Sequence, residues 1–315
     1  MKALRIFLIL ALAIIFSVTA VYAGAKKKKV AVLFPGVVSD QSWNQFGYEG
    51  LKRAEKDCGV EIAYSEKVSQ DAQLEVFRSY AAQGFDMIIG MGGEYTDSAI
   101  RAAKEFPDVQ FGLSNGMVSK SNLTSFKVSY SQMGYLEGAL GALMSKTGKI
   151  SMVSAQPLPI VKDGEESFER GAKDMRPDIK VLFVSTGSWD DVTKAREAGL
   201  ALIAKGVDVL AHHLDTADAG LISAAEDKGV YAIGLYRDSS SLGPKAVIGS
   251  SLGSPATLVY EMACGKAPKG KATAMTVNTP KGVDMHMTDL VPQDIQKRIR
   301  DIIKKMRSGE LYVKP

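Results

Sequence analysis

The stretch Val30-Ala31-Val32-Leu33-Phe34-Pro35-Gly36-Val37-Val38-Ser39-Asp40-Gln41-Ser42-Trp43-Asn44-Gln45-Phe46-Gly47-Tyr48-Glu49-Gly50-Leu51-Lys52-Arg53 reads as strand, loop and helix in succession. Residues 30–34 are an apolar run without polar alternation, the pattern of a strand covered on both faces in a parallel sheet. Over 44–57, Phe46, Leu51 and Ala54 make the apolar stripe of a helix. The unit then repeats. Strands are expected at 60–64, 85–90 and 109–113, with helices at 71–83 and 96–106. Such alternation specifies βαβ units and a parallel sheet.

The chain then starts this pattern a second time. Ile150-Ser151-Met152-Val153 matches the first strand 120 positions on, and Phe168-Glu169-Arg170-Gly171 stands opposite Tyr48-Glu49-Gly50-Leu51 at the same spacing. Gly206-Val207-Asp208-Val209-Leu210 repeats Gly84-Phe85-Asp86-Met87-Ile88 at a spacing of 122. An ordered series of matches at nearly constant spacing points to two related doubly wound lobes. Open α/β sheets bind ligands beyond the carboxyl ends of their strands, and lobe interfaces favour small-molecule pockets. A trap that closes on a solute follows by analogy of fold.

The 315 residues carry 39 basic and 35 acidic side chains, 46% hydrophobic residues and 23% charged ones. A formal charge of +4 excludes the strongly basic signature of a dedicated nucleic-acid binder. Lys2 and Arg5, the apolar run 6–16 and the small-residue finish Val21-Tyr22-Ala23 have the anatomy of a secretory signal peptide, cleaved after Ala23 or Ala25. Cleavage removes two basic residues and no acidic one, which halves the charge. No cysteine follows the apolar run, so a lipid anchor is not expected. The product is expected to be soluble and exported. Cys58 and Cys264 are read by default as free, buried thiols, although an oxidising compartment permits a disulfide. His212, His213 and His286 lack partners at metal-ligand spacing, so neither metal nor cofactor is expected.

Five loops carry the candidate ligand-binding groups. In the first, Trp43 can stack on a flat ligand while Asp40 and Asn44 pair with its edge; equally, Ser39, Asp40 or Ser42 can cap the helix and Trp43 can pack on the lobe. Trp189, in Ser185-Thr186-Gly187-Ser188-Trp189-Asp190-Asp191, occupies a matching place in the second half. These are the two tryptophans of the chain, and two inward-facing indoles would sandwich a planar ring. Glu94 and Tyr95 follow the Gly-rich turn Gly90-Met91-Gly92-Gly93, which is no dinucleotide or Walker-type phosphate motif. His212 and Asp215 belong to its counterpart, His212-His213-Leu214-Asp215-Thr216-Ala217. Asp238, after Leu235-Tyr236-Arg237, is a cap or a ligand acceptor.

Residues 39–45 with Tyr48-Glu49-Gly50-Leu51 resemble the opening motif of the basic membrane protein (BMP) family, which includes PnrA-type purine nucleoside receptors of ABC importers. Gly134-Tyr135-Leu136-Glu137-Gly138, Trp189-Asp190-Asp191, Gly229-Val230-Tyr231-Ala232-Ile233-Gly234 and Ser308-Gly309-Glu310-Leu311-Tyr312-Val313 extend the resemblance over the mature chain. It implies a type I periplasmic-binding-protein fold, two doubly wound parallel-sheet lobes joined by a multi-strand hinge with three crossings. The lobes would be 28–131 plus about 249–279, and 132–248 plus about 280–315. It also implies a purine base between aromatic rings, with the first ring, usually Phe in the family, falling on Trp43 and the second near Trp189. The ABC permease of the inner membrane is the implied partner. Members that bind nucleosides hold the ribose partly with a lysine, and Ile248-Gly249-Ser250-Ser251-Leu252-Gly253 offers none, which leaves a free base or another flat solute beside the nucleoside.

Solute binding for import is therefore the leading function. An exported nucleoside-processing enzyme would need a metal-binding acidic cluster or an activated nucleophile; Asp190-Asp191 reads as a helix start instead. A ligand-sensing receptor partner shares the fold and differs only in what it contacts.

Overall fold

The computed structural model describes residues 27–315, so the leader expected at 1–23 lies outside the described residues. The first lobe is built from β1 (Lys29–Leu33), α1 (Trp43–Cys58), β2 (Glu61–Ser65), α2 (Gln73–Ala82), β3 (Met87–Met91), α3 (Thr96–Glu105), β4 (Gln110–Ser114) and β5 (Leu123–Val128). The second contains α4 (Tyr130–Met144), β6 (Lys149–Ser154), α5 (Pro159–Met175), β7 (Lys180–Ser185), α6 (Val192–Ala204), β8 (Val209–His213), α7 (Asp218–Lys228), β9 (Tyr231–Tyr236) and β10 (Val247–Leu252). The chain then returns for α8 (Pro255–Ala263) and β11 (Ala272–Met275) before ending with β12 (Asp284–Met287) and α9 (Gln293–Ser308).

The sheets have orders β2-β1-β3-β4-β5-β11 and β7-β6-β8-β9-β10-β12. Their order is the same strand for strand, which is the duplication in three dimensions. All pairings are parallel except β10 with β12. The apolar runs of β1, β3, β6 and β8 are buried along nearly their whole length, as parallel strands covered on both faces must be. The strand β8 runs on through His213, into the stretch read above as a loop. His212 and His213 are therefore buried strand residues, not loop residues.

One helix pair in each lobe relies on a glycine for its close approach. A Cβ on Gly50 of α1 would lie 2.2 Å from the Ala256 carbonyl oxygen of α8, and one on Gly171 of α5 would lie 2.2 Å from that of Tyr135 in α4. Real Cβ atoms do not approach so closely, so the missing side chain sets the helix spacing. The same α1–α8 contact corrects the reading of free thiols. Cys58, ending α1, and Cys264, just past α8, form a disulfide with Cα atoms 5.7 Å apart.

The chain passes between lobes at Ser129, at 253–254 and at 276–283. Because β10 pairs with β9 and β12 through Leu252, the second passage falls after the expected 249. The passages are stitched together: the Ser129 amide donates to the Met275 carbonyl (2.9 Å), and the Val277 amide donates to Oε1 of Gln132 (2.9 Å).

Candidate functional site

In each sheet the strand order reverses beside the first strand, so the loops on either side part and leave a crevice. In the first lobe that switch point lies between β1 and β3. Trp43, the first residue of α1, spans it by donating its indole Nε1–H to the Met91 carbonyl at the end of β3 (3.0 Å). Its ring is 9% exposed. In the second lobe the switch point lies between β6 and β8, and Asp215 stands in the loop after β8.

The two switch points meet. Ser42 donates its hydroxyl to Oδ1 of Asp215 (3.2 Å), and the Arg237 guanidinium, one residue beyond β9, donates to the Gln41 carbonyl. Arg237 also lies over the Phe46 ring, 5.3 Å from its centroid. Beside these polar contacts Trp43 faces Tyr236, the last residue of β9, with centroids 6.1 Å apart and planes inclined by 41°. The cleft is thus closed by one aromatic pair and two hydrogen bonds from the first loop.

The second-lobe wall is acidic. Burial, then the charges of Asp190, Asp40 and Asp218, push the Asp215 carboxyl well above its ordinary range, opposed by the Ser42 hydroxyl. Burial pushes Asp218 up to about 6 against the favourable charge of Arg237. Crowded carboxyls of this kind favour a ligand that brings N–H donors or positive charge.

The expected site residues divide into four groups. Trp43 and Asp215 each contact the opposite lobe, Trp43 through the Tyr236 ring and Asp215 through the Ser42 hydroxyl. Asp40 and Asn44 serve the loop itself: Asp40 accepts from the amides of Ser42 (2.9 Å), Asn44 (3.0 Å) and Gln45 (2.9 Å), capping α1, while Asn44 Oδ1 accepts from the Gly36 amide (3.2 Å). Glu94 lies on the single turn after β3, its side chain exposed at the surface and its carboxyl raised by desolvation.

The remaining four are placed by second-lobe or core packing. Tyr95 is fully buried, edge-on to Phe77 (6.1 Å), so it is a core residue of the first lobe. Trp189 is half-buried, packed against the second-lobe core and against the larger apolar cluster that spans both lobes, and its carbonyl accepts from the amides of Asp215 and Ala217 (3.1 Å each). It therefore shapes the Asp215 loop, while the ring opposite Trp43 is Tyr236. His212 is buried, takes the Leu214 amide on Nδ1 (3.3 Å), and is pushed down to about 3 by burial and then by His213, so it is a neutral structural imidazole. Asp238 accepts from the Ser240 amide (2.9 Å) and pairs with His286 (3.4 Å), a turn-forming carboxylate.

Tyr236, Arg237, Ser42 and Asp218 were not among the expected residues. Tyr236 was hidden because its apolar neighbours read as ordinary strand. The repeated Gly-Leu pair, 112–113 and 234–235, marks the end of equivalent strands and was the one sequence signal for it. Among the described residues no group of three His, Cys, Asp or Glu side chains could hold a metal ion, and no helix is long and apolar enough to cross a membrane.

Two doubly wound lobes closing over a cleft built from both switch points define a solute-binding protein of the kind that serves ABC transporters. The chain belongs to the Bmp family: the family model described as ABC transporter substrate-binding protein PnrA-like matches residues 27–314. It is 30% identical over 313 residues to the transcriptional activator protein med of Bacillus subtilis, covering 95% of this chain and 98% of that one. It is 28% identical over 298 residues to a purine-binding protein of Brucella abortus, covering 91% of this chain and 83% of the relative. The crystal structure of a transcriptional activator of the comK gene from Bacillus halodurans superposes with a TM-score of 0.77 at 26% identity, over 90% of this chain and 99% of that one.

Proposed function

We propose that this substrate-binding protein takes a purine nucleoside or nucleobase between its lobes and presents it, closed, to an ABC permease in the inner membrane. The observation that carries this is the facing pair Trp43–Tyr236, one ring from each lobe, beside Asp215. A planar base needs about 3.5 Å of clearance on each face. Rings 6.1 Å apart and tilted must therefore separate and become parallel to admit it, which lobe opening provides. Asp215 then accepts N–H groups from the base edge. The relative described as purine-binding supports the same ligand class. The protein works in the periplasm as a monomer and catalyses no reaction in this reading.

Calorimetric titration with adenosine, guanosine and inosine, their free bases, and ribose as control tests it. Micromolar or tighter binding of a purine compound is expected. Binding of ribose alone, or release of free base from a nucleoside, overturns the assignment. A second reading, ligand sensing, is favoured by the relative described as a transcriptional activator; it keeps the cleft chemistry and changes the partner from permease to regulator.

A further inference from the structure

Tyr236 holds an unusual backbone. Its φ is +66°, in the left-handed region that bulky side chains avoid. The corresponding strand end in the first lobe also turns left-handed, at Asn115 with φ +53°, but asparagine tolerates this conformation and tyrosine does not. Such strain persists only where the surroundings fix the residue, and it gathers at ligand clamps.

What fixes Tyr236 is beneath it. Its hydroxyl hydrogen-bonds the hydroxyl of Tyr130, the first residue of α4, with both residues almost wholly buried at 6% and 5% exposure and the rings crossing at 80°. Tyr130 is itself pinned. Its ring stands edge-on to His213, 4.6 Å between centroids at 89°. His213 Nε2 lies 3.4 Å from Oε2 of the buried Glu137, which also accepts the Ser251 hydroxyl. Ser251 in turn lies on β10, opposite Leu235 of β9, the residue before Tyr236. The chain of contacts closes on the strand end that it supports.

We infer that Tyr130 is a positioning residue: its hydroxyl fixes the tip of Tyr236 so that the left-handed strand end presents a ring face to the ligand opposite Trp43. This rests on the purine-clamp reading above for its consequence, though not for its geometry. Tyr130→Phe keeps the ring on His213 and removes only the hydroxyl. Tyr236→Phe removes the other partner. Removing one member leaves a buried hydroxyl without its bond, whereas removing both restores a matched apolar pair.

Titration with inosine, guanosine and adenosine, together with thermal unfolding, separates positioning from mere packing. Tyr130→Phe is expected to weaken binding about three- to tenfold. In the double variant the unfolding temperature should recover towards wild type while the affinity stays reduced. Wild-type affinity in Tyr130→Phe, or affinity recovering with stability in the double variant, overturns the inference. Should the wild-type protein bind none of the three nucleosides, the purine reading fails by itself. The crystal structure of Tyr130→Phe then decides: Tyr236 leaving the left-handed region or turning its ring supports positioning, and an unchanged Tyr236 overturns it.

Discussion

The indole of Trp43 and the phenol ring of Tyr236 face one another from opposite lobes at 6.1 Å, and each is tethered behind by its own lobe. Trp43 is held by the Met91 carbonyl at the first switch point, and Tyr236 by the Tyr130 hydroxyl. Neither tether crosses the cleft, so the rings can part with the lobes without either losing its orientation. If the pair clamps a ligand as proposed, two pre-oriented rings would lose little binding energy to ordering side chains.

Trp43→Ala should therefore weaken purine binding by about 1–3 kcal/mol, the scale of base–aromatic stacking. Trp189→Ala serves as the contrast. Because Trp189 packs on two apolar clusters and its carbonyl holds the Asp215 loop, its loss should lower the unfolding temperature and cost less affinity than that of Trp43. Calorimetry on both variants checks the order, and the reverse order would restore Trp189 as the second jaw.

Asp215 is expected to read the ligand edge as a hydrogen-bond acceptor. Asp215→Asn keeps an acceptor for the Ser42 hydroxyl but puts an amide NH2 where the base edge presents its own donors, so affinity for guanosine should fall by about 1–3 kcal/mol. Ser42→Ala removes only an interlobe hydrogen bond and should cost about 1 kcal/mol or less. Equal losses in the two variants would make Asp215 a closure contact alone.

The lobes were legible in the sequence because duplication leaves a spacing: Ile150 follows Val30 at 120 positions, and the two strands sit at the same place in sheets of the same order. The candidate site was legible in its first loop and at Asp215, and not at the ring that faces Trp43. Trp43 is conspicuous by composition, whereas Tyr236 matters through a backbone angle and a hydroxyl partner 106 residues away. Asp40 and Asp215 look alike as loop acids. Only the fold shows that one carboxylate is used by three amides of its own loop while the other meets the opposite lobe. Cys58 and Cys264 were similarly opaque, since a separation of 206 residues carries no sign of the α1–α8 contact that joins them.

That disulfide closes a long loop around most of both lobes. Constraining the unfolded chain over such a length stabilises the folded state by about 2–5 kcal/mol. Reduction, or Cys58→Ser with Cys264→Ser, should lower the unfolding temperature by several degrees or more. The cysteines join helices on the first lobe, away from Trp43 and Tyr236, so affinity for a purine at 25 °C should change little. Calorimetric scans with and without reductant measure the first, and titration the second.

Asp218 gives the cleft a pH dependence with a definite sign. Its carboxyl is pushed up to about 6 in the folded protein, against an unfolded value near about 3.9. The folded state therefore holds the proton more tightly, and stability contributed by the neutral form is complete below about pH 4 and lost as pH rises through about 6. Asp218→Asn fixes a neutral side chain there. It should raise the unfolding temperature by roughly 2–4 °C at pH 7.5, corresponding to about 1 kcal/mol after allowing for the group's partial exposure, and do nothing near pH 4. Scanning calorimetry of wild type and variant from pH 4 to 8 provides the measurement. A gain that is constant across that range would place its origin in packing, and a gain confined to low pH would reverse the sign argued for the carboxyl.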